Sequence, residues 1–199
     1  MSSKNLETRL RILEVTLQML EENRGQGVRM ADIAKCANVS RQAIYLHFAS
    51  RAELLNATTK FLDERLDLDR RLAPSRAASS GQDRLALYVE FWGNYIPEIY
   101  GVAKALLLVL DSDDAAAAAW QERMAAMRHG CRAAIDMLHS EHRLASEWTP
   151  ESATDVLCTM LSVANWENFT SVCGWSNQQY VERMKAIAER SLLKNESAP

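Results

Sequence analysis

Glycine and proline are scarce, seven and four in 199 residues. So few chain breakers rule out a collagen-like or low-complexity chain and lean the composition toward helix. No apolar run approaches the ~18–20 residues that span a bilayer; the longest, residues 105–110, is far too short. The opening Met-Ser-Ser-Lys-Asn-Leu-Glu is polar and charged, so no signal peptide is read there and a cytoplasmic location without membrane contact is expected. The four cysteines, Cys36, Cys131, Cys158 and Cys173, form no CxxC pair. Their simplest reading is reduced thiols packed as small apolar residues, with a redox switch as the alternative. Histidine is also rare, and only His139 and His142 lie close enough to share a helical face. Two such groups without a third are more simply a solvated helix end than a metal site. No metal and no cofactor are expected.

No strong positive charge is present either. The net charge of −3 argues against a protein that coats nucleic acid generally. The charge is uneven, however. Residues 1–71 hold 12 Lys and Arg against 10 Asp and Glu, whereas residues 72–199 hold 11 against 16. The slight basic excess lies in the N-terminal third, and only a local patch matters for phosphate contact.

What the chain does hold is helical periodicity. The 48% hydrophobic content is that of a globular protein, and at this mass folding removes about 70% of the unfolded surface from water. Leu6, Leu10, Leu13, Leu17 and Leu20 recur at four and three, one apolar stripe on a first helix. Gly25 and Gly27 stop it. A second helix opens near Met30 with Ile33 and Ala34 inward, and Ala37-Asn38-Val39 is a tight turn in which Asn tolerates the left-handed backbone. Ser40 is a natural N-cap for a third helix, with Ala43, Ile44 and Phe48 toward the core. Ser50 and Glu53 have capping-box spacing before a long fourth helix. Residues 74–81 read as a linker, followed by helices near 82–93, 97–110, 114–141, 151–173 and 177–193. No strand alternation and no repeat interrupts the pattern. The expected fold is all-α: an N-terminal three-helix helix-turn-helix domain over residues 1–50, a connecting helix over 51–73, and a helical ligand-binding and dimerisation domain over 74–199.

A helix-turn-helix places its second helix in the major groove, where base edges differ in donor and acceptor pattern. Arg41 and Gln42 stand at the start of the third helix, suited to guanine and adenine respectively. Tyr45 lies one turn on, for a phosphate or a thymine methyl, or else for packing. His47 and Lys35 are candidate phosphate contacts. Arg51 opens the fourth helix, where its charge and the free N–H groups could hold a phosphate together.

These residues carry a resemblance. Arg-Ile-Leu-Glu from Arg11, Met-Ala-Asp-Ile-Ala-Lys from Met30, Asn-Val-Ser-Arg from Asn38, Ile-Tyr-Leu-His-Phe from Ile44 and Ser-Arg-Ala-Glu-Leu-Leu from Ser50 together resemble the TetR family of bacterial transcriptional repressors. The resemblance implies a homodimer that binds a palindromic operator on double-stranded DNA and is released by a small ligand held in the regulatory domain. Its recognition positions map onto Ser40, Arg41, Gln42, Tyr45 and His47, and its phosphate position onto Arg51. Arg29 stands where the family favours a Thr cap, losing a cap and gaining a possible phosphate contact. Asn38 stands where Gly is usual.

In the C-terminal half, Val156 and Met160 on one helix, with Tyr180, Met184 and Ile187 on the last, are expected to form a dimer surface. Trp92, Tyr95, Trp120, Met124, Met127, Trp166 and Phe169 supply the large, adaptable side chains of a small hydrophobic effector site. No nucleophile beside a base and no pair of carboxylates stands out. The sequence therefore reads as a ligand-released repressor. The alternatives are a DNA-binding regulator without a small-molecule ligand and, more remotely, a helical enzyme.

Overall fold

A computed structural model describes residues 3–23 and 28–194. The helix stop read at Gly25 and Gly27 lies outside the described residues. In chain order the helices are α1 (Ser3–Asn23), α2 (Met30–Cys36), α3 (Arg41–His47), α4 (Arg51–Arg65), α5 (Leu68–Arg76), α6 (Gly81–Leu107), α7 (Asp114–Ser140), α8 (Pro150–Met160), α9 (Val163–Glu167), a π-helical turn (Asn168–Val172) and α10 (Asn177–Leu192). No strand occurs among the described residues. The all-α expectation holds.

The helices fall into two compact units, each assembled from two stretches of chain. One comprises Met1–Asp67 with Ile99–Met124, the other Leu68–Glu98 with Ala125–Pro199. In the first unit α1 packs on α4 and α2, and α2 packs on α3. Ile12, Leu13, Leu17 and Leu20 of α1, Ile33 and Ala34 of α2, Ile44 and Phe48 of α3, and Leu54 and Leu55 of α4 form the core. The expected α1 stripe is only partly used. Leu6 and Leu10 remain exposed, at 51% and 40%, because buried contacts begin only with the third turn.

In the second unit Leu85, Val89 and Ile96 of α6, Ala134, Ile135 and Leu138 of α7, Ala153 and Leu157 of α8, and Val181 and Ala188 of α10 are buried. Two close approaches explain two glycines. A Cβ on Gly93 would stand 2.7 Å from Val181 Cγ2, and one on Gly130 would strike the Tyr88 hydroxyl.

Several boundaries differ from the periodicity. The fourth helix is not continuous. α4 ends at Arg65, Asp67 adopts φ 54, and α5 resumes at Leu68 and carries Pro74 within it. The expected linker therefore contracts to the turn before Ser80, whose hydroxyl accepts from the Asp83 N–H at 3.1 Å. Pro97 does not start a helix but sits inside α6. The helix expected over 151–173 breaks at Ser162, which caps α9 by accepting from the Asn165 N–H at 3.2 Å. α7 ends at Ser140 and His142 turns to φ 57, so His139 and His142 share no helical face.

Candidate nucleic-acid interface

The third helix is fixed by local chemistry at both ends. Ser40 holds an extended backbone and its hydroxyl accepts from the Ala43 N–H at 3.0 Å, satisfying one of the free donors of the first turn. Asn38 takes φ 51, the left-handed conformation that the turn demands. The Val39 N–H returns to Ala34 O at 2.9 Å and closes the corner between α2 and α3. Ile44 and Phe48, both fully buried, pin one side of α3 to the core.

Arg9 of α1 secures the far end. Its guanidinium donates to His47 O at 2.7 Å and lies 4.2 Å over the Phe48 ring. It thus satisfies a C-terminal carbonyl and stacks on an aromatic in one contact. Arg9 is a residue the sequence reading missed. Its only signal is position: an arginine at the edge of the α1 stripe, whose distant partner periodicity does not reveal.

This anchoring turns the other side of α3 to solvent. Ser40, Arg41, Gln42 and Tyr45 are exposed, Tyr45 at 44%, while His47 is half-buried. Leu46 is 81% exposed, the most exposed large apolar side chain described. The sequence reading missed it too, although a signal existed. Leu46 is two residues from both Ile44 and Phe48, about 200° round a helix, so an apolar group stands where solvent should favour a polar one.

Around α3, Lys35 is exposed in the last turn of α2. Arg29 is exposed at the N-cap of α2, where its side chain makes no capping hydrogen bond. Arg51 is differently placed. Its Nε donates to Val28 O at 2.7 Å and Nη1 pairs with the Asp113 carboxylate at 2.5 Å, with 22% and 21% of the two side chains exposed. Asp113 also accepts from the Ala115 and Ala116 N–H groups at 3.1 and 3.2 Å, capping α7. Burial opposes the charge on Asp113, but the Arg51 guanidinium and the two N–H groups outweigh it and hold the carboxyl below its ordinary range. Ser50 caps α4 as expected, accepting from the Glu53 N–H at 3.1 Å, while Glu53 reaches back to the Ala49 N–H at 2.8 Å.

The expected ligand-lining residues divide between the units. Trp120 and Met124 belong to the first unit; Trp92, Tyr95, Met127, Trp166 and Phe169 belong to the second. There, Trp92 and Tyr95 meet edge to face at 5.7 Å, and Phe91 packs on both. The Trp92 indole N–H is buried without a hydrogen-bond partner. Trp166 donates to Asn177 Oδ1 at 2.9 Å, Asn177 in turn donates to Asn94 Oδ1 of α6 at 3.2 Å, and Phe169 stacks on Trp175 at 4.2 Å.

The expected dimer stripe also divides. Tyr180 is fully buried and donates to Met160 O at 2.9 Å, and Met184 is 2% exposed. Both side chains are used inside the unit, so they are corrected out of an outward-facing surface. Val156 and Met160 are half-buried, and Ile187 is 41% exposed.

A short capped helix, pinned by two buried residues and presenting Arg, Gln and Tyr outward after a tight turn, has the geometry of a helix-turn-helix. Residues 12–58 match the family model of the bacterial regulatory proteins of the tetR family. The match covers less than half of the chain, and over it the chain resembles the bacterial regulators of this family.

The N-terminal third is also similar to the nucleoid occlusion factor SlmA of Marinomonas sp., 38% identical over 66 residues, which are 33% of this chain and 34% of that protein. SlmA of Shewanella baltica gives 38% over 64 residues, 32% of each chain. The match thus spans about a third of these relatives. Solved structures align over nearly the whole length. NalD of Pseudomonas aeruginosa, the secondary repressor of the MexAB-OprM multidrug efflux pump, gives a TM-score of 0.71 at 18% identity, covering 98% of this chain and 100% of that one. A Saccharomonospora viridis protein crystallised in complex with choline gives 0.73 at 17%, covering 95% and 99%. At such identities the likeness establishes the fold alone.

Proposed function

We propose that two copies of the chain bind a palindromic operator through α3 and repress transcription until a small hydrophobic ligand occupies the second unit. The observation that carries the reading is the bare outer side of α3. Arg41 and Gln42 offer bidentate donors and acceptors to base edges, and Tyr45 and Leu46 offer apolar surface to a thymine methyl. Ser40 and His47 complete that side, with Lys35 and Arg29 as phosphate contacts on either flank. Arg51 joins them only by giving up Asp113.

The effector half of the proposal rests on chemistry. The Phe91, Trp92 and Tyr95 cluster is apolar, and it contains one buried donor, the Trp92 N–H, that an acceptor on a ligand would satisfy. Ligand weakens operator binding only by preferring the arrangement that does not bind DNA; a coupling of about 1–3 kcal/mol gives ~5–150-fold. Pairing of the copies is assigned to Val156, Met160 and Ile187, which keep surface in the isolated chain.

Selection of binding sites from random duplex DNA tests the reading. Recovered sites should show two half-sites related by a dyad and spaced by about one helical turn. No enrichment at low salt, with the protein dimeric by light scattering, would overturn it. Thermal stabilisation against hydrophobic small molecules then separates a ligand-released regulator from one without a ligand, since a bound ligand raises the midpoint by mass action.

A further inference from the structure

His139 and His142, which read as a solvated helix end, share a different setting in the second unit. They line a cleft of about 320 Å³ together with Leu144, Ala145, Trp148 and Lys194. Backbone bonds bring these residues together from two places in the chain. Past the end of α7 the Arg143 N–H returns to Leu138 O at 2.8 Å, and His142 takes the left-handed position of that turn at φ 57. Just past α10 the Lys194 N–H donates to Arg143 O at 2.7 Å, and the Ala145 N–H donates to Leu192 O at 3.0 Å. Trp148 is half-buried, and its indole N–H donates to Ser191 O at 2.7 Å, which fixes the ring as one wall.

The lining is of two kinds. Leu144 and Ala145 are buried and, with the Trp148 ring, give an apolar side. His139, His142 and Lys194 are exposed, and their side chains make no hydrogen bond or ion pair among the described residues. Two neighbouring charges in the turn are directed to α6: the Glu141 carboxylate accepts from the Gly81 N–H at 2.8 and 3.0 Å, and Arg143 donates to Gln82 at 3.3 Å. An imidazole offers an N–H in either protonation state, and a lysine offers three with a full charge. Such donors beside a flat apolar wall suit a carboxylate carried on a planar body. The volume lies at the lower end of the range that small-molecule sites occupy.

His142 points the same way. Glycine is the usual residue at a left-handed helix end, since it alone escapes the Cβ penalty. A histidine there carries backbone strain, and no side-chain bond among the described residues compensates it.

We propose that this cleft binds a small planar organic acid, its carboxylate held by Lys194, His139 and His142 and its ring laid against Trp148. The site shares no residue with the Phe91, Trp92 and Tyr95 cluster and does not depend on how α3 meets DNA.

The test titrates the full chain with benzoate, read by calorimetry and by proton NMR of the imidazoles. Benzoate should bind at least about tenfold more tightly than benzamide, which keeps the shape and loses the charge. It should also bind more tightly than inorganic phosphate, which has the charge and no ring. Of the four histidines, His139 and His142 should shift on binding, and His47 and His129 should stay in place. Lys194→Met, at an exposed position, should weaken binding about tenfold and leave the unfolding midpoint unchanged. His142→Gly should also weaken binding, yet unfold at the same temperature or higher, because glycine suits the left-handed turn. A merely structural histidine would not give that pair of results. The absence of saturable benzoate binding, equal affinity for benzamide or phosphate, or binding that leaves His139 and His142 unmoved would each sink the proposal.

Discussion

The helix-turn-helix and the second unit are built from the same material by different means. Every residue that sets α3 lies within about ten positions of it, except Arg9: the turn at Asn38, the cap at Ser40, and the anchors Ile44 and Phe48. Its polar side follows from its apolar side. α10 carries an equally regular stripe, but distant partners decide which members are buried. Tyr180 is drawn inward to Met160 O, and Ile187, one helical turn beyond Met184, is left in solvent. A helix with one packed side can be read from its own sequence. A helix among several others cannot, because periodicity counts apolar residues without saying which neighbour covers them.

The largest effect expected to break this contrast is in the head. Phe48→Ala empties a fully buried site and frees Arg9 from its ring. It should cost about 3–5 kcal/mol by chemical denaturation and abolish operator binding with it. Unchanged stability would show that α3 is not held as described.

Next come two ion pairs in one unit. Arg123 meets Asp63 through two parallel bonds of 2.7 Å, with the arginine side chain only 9% exposed. Asp63→Ala removes both of those parallel bonds from a nearly buried guanidinium and should cost about 3 kcal/mol. Lys60 meets Glu122 at a similar distance, but both side chains are more than half exposed. Lys60→Ala should therefore be within about 1 kcal/mol of wild type. Equal losses would mean that burial is not what separates them.

Much of the head was legible because its signals are short-range. The expected cap at Ser40, the turn at Asn38, the buried Ile44 and Phe48 and the exposed Arg41, Gln42 and Tyr45 are found, whereas Ala43 and His47, expected inward and outward, are both half-buried. Leu46 was overlooked because reading for polar contacts passes over an apolar residue on the polar side. Arg51 was read from its place at the start of α4, and its Asp113 partner, 62 residues away, left no trace in local pattern. The same limit applies to α6. Pro97 reads as a start, yet the helix runs through it, continuous from Gly81 to Leu107. The break at Ser162 is the converse: an apolar stripe hid a capping serine.

On DNA, the contrast within α3 itself can be sharpened. Arg41→Ala should weaken binding by about 1–3 kcal/mol and relax base preference at one position per half-site. Leu46→Ala should have a smaller effect, on the order of 1 kcal/mol or less, confined to sites with a thymine under that residue. Both side chains are exposed, so neither change should shift the unfolding midpoint by more than about 0.5 kcal/mol equivalent. Mobility shifts and denaturation on the same preparations separate contact from fold.

The smallest effect concerns Asp113, whose carboxyl is held below its ordinary range against the penalty of burial. A depressed carboxylate adds stability that is present above its unfolded pKa, about 3.9, and is lost as pH falls through the lower folded value. Asp113→Asn keeps an acceptor for the Ala115 and Ala116 N–H groups but removes the charge facing Arg51. Wild type should therefore exceed the variant at neutral pH, and the gap should close on acidification below about pH 4. The variant frees Arg51, so it should also bind nonspecific DNA with a steeper salt dependence if that guanidinium then reaches a phosphate. A gap that stays constant with pH would show that the Asp113 side chain acts through its cap alone, leaving Arg51 to be held by Val28 O.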